Sequence, residues 1–422
     1  MTNRRAAAAV SLAAFVLGAC GRRHGRTGQG PYADMVAEAV PKIEQAIGVK
    51  FKTPPKLEER SREQVRAFVT RQFDQKAAAA QLEGQEAAYK AFGLIRDTLH
   101  LRKFLIDLLT EQIIGFYDPA SKVLYVMQGA PSDMAGLTIT HELVHALQDQ
   151  YINLDSIQKE TKNSDRQAAA QAVIEGQAMY EQMVMAAGGA SVAAFVPGGW
   201  DAIRQQIREM QSAQPIFASA PMAIQEELLF PYLSGAEFVR RVKAHDPSKL
   251  PFANMPVSTT QILHENAFFG RHPEAPTTVT LPRADGKVIY ENDLGEFETR
   301  LFIYQHTKDQ TLATRAAEGW NGDQYRIQSV TGGSALIWVT VWNSAMDAAE
   351  FVDALGQAVT KRYATPAAAS GPGGKRTFNG AKRSVDITPL EIAGRNVVLY
   401  VDAPAGASKA LIDPGKVKLE RQ

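Results

Sequence analysis

The chain has 422 residues, enough for two domains or for one large domain with an insertion, and its 45% hydrophobic and 22% charged residues are ordinary for a globular protein. Lysine and arginine number 46 against 45 acidic residues, so no global basic field exists to hold nucleic acid or an anionic membrane. A single cysteine excludes internal disulfides, which leaves the core and any bound metal to stabilise the fold.

At the amino terminus, Arg4 and Arg5 precede AAAAVSLAAFVLGA, an apolar run too short to span a bilayer and right for the h-region of a signal peptide. The run stops at Cys20. LGAC, Leu17 to Cys20, resembles the bacterial lipoprotein signal, in which the cysteine becomes the lipidated first residue of the mature chain. That resemblance implies a signal peptide over residues 1–19 and an exported protein anchored to a bacterial cell membrane by a lipid on Cys20. In a Gram-negative cell the anchor would lie at the outer membrane, on its periplasmic face. Residues 20–31, which include GRRHGRTGQGP, lack apolar periodicity and read as a flexible tether.

From Tyr32 to about Gly115 the pattern is mostly helical, with apolar residues three and four apart in REQVRAFVTRQF and LRKFLIDLLTEQI. IIGFYDPASKVLYVM then reads as a β-hairpin turning on DPAS. Its second strand, Lys122 to Met127, is placed to pair with an extended peptide through its main chain, or simply to pack on the helix that follows.

That helix carries TITHELVHALQDQ, residues 138–150. Positions i and i+4 share one face of an α-helix, so His141 and His145 can grip one ion, while Glu142 lies about 100° round the helix and can reach a water on that ion without being a ligand. Two neutral imidazoles on Zn²⁺, with a carboxylate to take a proton from water, are what a metallohydrolase requires. A catalytic zinc needs a third protein ligand. The next helix begins at Ser164, with Gln167 completing a capping-box pattern, and runs to the glycine pair at 188–189. On it Glu175 is the candidate, because Gly176 beside it lets two backbones approach; Glu181 is the alternative. Asp149 and Asp118 are the candidates to orient the histidines.

HELVH followed by EG on a second helix resembles the gluzincin metallopeptidases, the class with two histidines and a distal glutamate on zinc. The spacer is longer than in thermolysin, and Met179 stands where that enzyme has an aspartate. Downstream, PYLSGAEFVRRV is similar to the Tyr-x-x-Gly-Ala stretch of the gluzincin aminopeptidases, whose tyrosine polarises the scissile carbonyl; Tyr232 matches it. The exopeptidase signature of those enzymes has no counterpart, which argues against aminopeptidase specificity. The resemblance covers about residues 110–270. It implies a zinc cofactor held by His141, His145 and Glu175, catalysis by Glu142 and Tyr232, and a peptide or protein substrate.

Further helices are expected near Ala202 to Gln211 and from Gly235 to Ala244. In PVSTTQILH, Ser258 opens a short helix and His264 ends it, either anchoring the segment or reaching the reaction centre. After RHPEAPTT the texture changes to strands such as QYRIQSV and SALIWVTVW, one helix AMDAAEFVDALGQAVTKRY, and a last strand NVVLYVDAP. The low-complexity ATPAAASGPGG and the basic KRTFNGAKR read as solvated loops.

The expected class is α+β: a zincin-like, mostly helical catalytic domain with a small β-hairpin over residues 32–275, and a carboxy-terminal α+β domain of unknown role over 276–422. The expected function is zinc-dependent peptide hydrolysis by a membrane-anchored, exported enzyme. The alternative is a non-catalytic surface binding or assembly lipoprotein built on a zincin domain.

Overall fold

A computed structural model describes residues 32–157, 162–186, 209, 214–365, 369–407 and 411–421. The expected signal peptide, Cys20, the tether, the glycine pair at 188–189 and all but residue 209 of the helix expected near Ala202 to Gln211 lie outside the described residues. Among those described, helices and strands mix as α+β, and no helix is long and apolar enough to cross a membrane.

The amino-terminal part is built from α1 (Ala33–Ile47), α2 (Arg62–Phe73), α3 (Lys76–Phe92) and α4 (Leu101–Gln112). Ser61 starts α2 through a reciprocal capping box with Gln64. The hairpin forms as β2 (Gly115–Asp118) and β3 (Val123–Met127), with the Asp118 carboxylate accepting from Ala120 N and Ser121 Oγ across the turn. β3 is nevertheless not available to a peptide: β1 (Lys56–Arg60) pairs with it in parallel on one side and β2 antiparallel on the other. The expected docking strand is the centre of a three-stranded sheet, and β2 is the edge beside the next helix.

That helix, α5 (Ser132–Gln148), packs against α1, β2, β3 and α7 (Ser164–Ala186). Residues 141–148 of α5 are all buried, as expected for a helix inside a core rather than on its surface. A short α6 (Leu154–Ile157) leads toward α7. The cap of α7 is Asn163, whose Oδ1 accepts from Arg166 N, and not Ser164. Ser164 N and Asp165 N instead donate to Asn292 Oδ1 and Asp293 Oδ1, tying the start of α7 to the carboxy-terminal part.

After α8 (Pro215–Ala218), α9 spans Met222–His245, thirteen residues earlier at its start than the Gly235 expected from sequence (235 minus 222). Pro231 lies inside it; proline ordinarily marks a helix boundary, and here burial along α7 outweighs the missing hydrogen bond. Ser258 caps α10 (Thr259–Leu263) by accepting from Gln261 N, and α11 (Glu265–Phe269) follows.

Seven strands then form an antiparallel sheet in the order β5-β6-β7-β11-β10-β9-β8: β5 (Val288–Asn292), β6 (Trp320–Val330), β7 (Gly333–Trp342), β8 (Ala369–Ser370), β9 (Arg376–Asn379), β10 (Arg383–Ile392) and β11 (Arg395–Pro404). Side chains alternate along β7. Leu336, Trp338 and Trp342 face a core shared with α14 (Ala345–Tyr363), whereas Ile337, Val339 and Val341 pack with Val279 and Val417, close to the two-stranded β4 (Thr278–Thr280) and β12 (Lys418–Glu420). Two helices join the first core, α12 (Gly295–Thr307) and α13 (Gln310–Ala317).

The basic stretch 375–383 is β9 and its turn, not a free loop. Lys375 pairs with Asp386, Arg376 with Asp353, and Arg383 with the buried Asp402, so three of its four cations are paired within the fold while Lys382 is exposed. The amino- and carboxy-terminal parts share one core: Phe92 of α3 sits edge-on to Tyr325 and Trp338 at ring separations of 5.1 and 5.3 Å. Burying such a ring contributes about 2 kcal/mol.

Candidate metal centre

α5 delivers His141, Glu142 and His145, and α7 delivers Glu175. One ligand atom from each of His141, His145 and Glu175 lies within 4.8 Å of the others. Glu175 Oε2 stands 3.2 Å from His141 Nε2 and 3.3 Å from His145 Nε2. Tetrahedral zinc with bonds near 2.0–2.1 Å places neighbouring ligand atoms about 3.3–3.4 Å apart, so the donor set and its spacing fit that ion. Glu181, the alternative third ligand, is elsewhere, in an ion pair with Lys243 at 2.9 Å.

Two glutamines hold the imidazoles. Each histidine donates its Nδ1 proton to an amide oxygen, His145 to Gln148 Oε1 at 2.8 Å and His141 to Gln182 Oε1 at 3.2 Å, which turns both Nε2 atoms toward Glu175. Gln148 is itself fixed by donating to Ile174 O at 3.1 Å and Gln177 Oε1 at 2.9 Å. The aspartates expected in this role are not there. Asp149 accepts from Tyr117 Oη, Lys122 Nζ and Leu154 N, and Asp118 is occupied in the hairpin turn. A glutamine three residues after His145 and another seven after Glu175, two turns along the same face, are the sequence signals that point to these partners.

Glu142 is fully buried. Its Oε2 accepts from the Tyr117 amide on the edge of β2 at 2.7 Å, while Oε1 has no hydrogen-bond partner. Burial raises its carboxyl above the usual range, against the pull of the His145 and His141 rings. Burial would raise Glu175 too, but those same rings hold it far below the ordinary carboxylate range. Burial lowers His145, and the Glu175 carboxylate beside it outweighs this, bringing the ring to about 9. The junction of these side chains therefore favours positive charge, which a divalent cation would supply by displacing a proton.

Tyr232 of α9 is buried, with its ring 5.9 Å from that of His141. His264 is engaged elsewhere: its Nε2 donates at 2.7 Å to Glu296 Oε1, which also accepts from Arg300 at 3.0 Å. It anchors the end of α10 to α12. The close approach expected at Gly176 is present, since a Cβ there would overlap the backbone of Gly235. Met179 is buried in the apolar cluster with Tyr232 and Leu233.

Residues 284–411 match a family described as Domain of unknown function (DUF8575), a segment that begins before β5 and runs past β11. No curated protein and no solved structure matches the chain.

Proposed function

We propose that the protein is a zinc-dependent peptidase of the gluzincin type, with a zincin-like catalytic part, exported and held to the membrane by a lipid on Cys20. The observation that carries the reading is the convergence of His141 Nε2, His145 Nε2 and Glu175 Oε2 beside a buried Glu142 whose Oε1 has no partner. Bound there, zinc would supply Lewis acidity, making water nucleophilic near neutral pH and polarising the scissile carbonyl.

The chain's own residues do the rest. Gln148 and Gln182 fix the ring orientation and tautomer of the two ligands, so no reorganisation is needed when the ion arrives. The Tyr117 amide pins one oxygen of Glu142 and leaves the other to take a proton from the attacking water and to return it to the leaving nitrogen. Its raised carboxyl suits it to hold that proton between the two events. Tyr232, on the His141 side of the centre, would donate to the oxygen on which negative charge develops.

Incubation of an unstructured protein such as reduced casein with the wild type and with Glu142→Gln tests the reading. Cleavage by the wild type alone, with zinc retained by both, is the expected result. Equal behaviour of the two proteins would favour a binding lipoprotein without catalysis.

A further inference from the structure

A cavity of about 310 Å³ lies where α2, α3, α7, α9, β5 and α12 meet. Its walls include the apolar Phe73, Leu82, Phe230 and Phe297, and it also reaches two carboxyls, Glu227 and Glu298. Some buried carboxylates of the fold have cations, as Glu181 has Lys243, Asp402 has Arg383 and Glu296 has His264 and Arg300, while Asp165 and Asp323 are held by neutral donors instead. Among the described residues, neither Glu227 nor Glu298 has a lysine, arginine or histidine within ion-pair distance. Glu227 Oε1 is shut off from solvent with no hydrogen-bond partner. Tyr89, which lies against both carboxyls, adds only a neutral hydroxyl. Burial pushes both carboxyls well above their ordinary range, and no cation counters it.

Two helices, α7 and α9, connect the cavity wall to the metal centre. Gln171, in its wall, lies one turn before Glu175 on the same face of α7, about 6 Å along the axis, and Phe230 and Pro231 immediately precede Tyr232. Apolar walls with uncompensated carboxyls suit a side chain that has an aliphatic stem and a cationic head. We infer that this cavity is a recognition pocket for an arginine or lysine side chain of a peptide bound at the metal centre. The cation would complete two half-buried carboxyls that the fold leaves without a counter-charge, and charge-assisted hydrogen bonds to both would favour the planar guanidinium. The carboxy-terminal part then has a task, because Tyr290, Phe297 and Glu298 belong to it, and Tyr290 reaches its place in the wall by packing its ring against Gly84 of α3, where a Cβ would collide with it.

The role in cleavage rests on the peptidase reading; the binding does not. The test therefore uses the full chain carrying Glu142→Gln and calorimetric titration with capped pentapeptides Gly-Ala-X-Ala-Gly, X being arginine, lysine, citrulline or norleucine. The arginine and lysine peptides should bind at least about tenfold more tightly than the citrulline and norleucine peptides. Glu227→Gln and Glu298→Gln, added singly, should abolish that preference, bringing the arginine affinity down to that of the citrulline peptide. Ala78→Phe, which narrows the cavity without touching a charge, should weaken the arginine peptide as well, with melting curves confirming that each variant is folded. Equal affinity for arginine and citrulline, an arginine preference that survives both glutamine variants, or no binding of the arginine peptide would each overturn the pocket. Selective binding with no cleavage by the wild type would sink the peptidase reading and leave the pocket standing. Cleavage without preference for basic residues would do the reverse.

Discussion

Gly176 of α7 and Gly235 of α9 pack backbone against backbone, so that a Cβ on Gly235 would meet the Ala172 carbonyl and come within 3.0 Å of the Gly176 Cα. The contact fixes the spacing of the two helices that carry Glu175 and Tyr232, each within three residues of its glycine. Glycine weakens a helix by roughly 1 kcal/mol against alanine, and here that cost secures a close crossing. Gly176→Ala should accordingly destabilise the fold by about 3 kcal/mol through overpacking, read from the urea midpoint at unchanged slope. A neutral or stabilising substitution would mean that the helices can separate without penalty.

The two glutamines behind the histidines act through orientation. Gln182→Leu is expected to weaken zinc affinity by about 10- to 100-fold, measured by competition with a chromophoric chelator. Gln148→Leu should do the same and also lower the melting temperature, because its amide additionally holds Ile174 O and Gln177 Oε1. Undiminished affinity in both variants would assign the orientation of the rings to packing alone.

Tyr232→Phe should lower kcat by about 10² to 10³ with KM changed little and zinc retained, the loss expected for one oxyanion donor. His264→Ala serves as the contrast. Its imidazole is engaged with Glu296, so kcat should stay near the wild-type value. A deficit in His264→Ala with a silent Tyr232→Phe would exchange the two assignments. A proportionate loss of stability and all activity in Tyr232→Phe would reduce that tyrosine to a core side chain.

Where α7 meets the carboxy-terminal part, Asp165 is buried and accepts from Thr259 N at 2.9 Å and from the Thr259 hydroxyl. Burial raises its carboxyl to about 7, opposed by the Thr259 hydrogen bonds and reinforced by Asp323 and Glu296. The folded pKa lies above the ordinary 3.8, so the folded chain holds this proton more tightly than the unfolded chain. That contribution is fully present below about pH 4 and is lost as the pH rises through about 7. Asp165→Asn keeps the acceptor oxygen and removes the charge. Its melting temperature, relative to wild type, should therefore improve steadily from pH 5 to pH 8; a difference independent of pH would show that Asp165 is already neutral or freely solvated.

The ligand helix was legible because one turn of α-helix forces His141 and His145 onto one face, whatever surrounds them. The close helix approach expected at Gly176 is present, and it sets Glu175 beside the two histidines. The orienting glutamines were not legible, since glutamine is a common helix former and nothing local separates a buried Gln148 from a solvated one. β1 escaped notice because KLEER lacks the alternation of a half-buried strand, and its partner β3 is distant in the chain. The stretch 375–383 reads as solvated because the partners of three of its cations, Asp353, Asp386 and Asp402, come from three other segments. Long-range pairing of this kind leaves no trace in local pattern.

The central claim is most directly tested by stripping the metal with a chelator, titrating zinc back, and following both bound zinc and hydrolysis of a quenched fluorescent peptide. Activity of the wild type should return linearly and saturate at one zinc per chain. Glu142→Gln should bind that equivalent and stay inactive, and Glu175→Ala should bind it far more weakly. Full activity in the stripped protein, or undiminished zinc affinity in Glu175→Ala, would contradict the account.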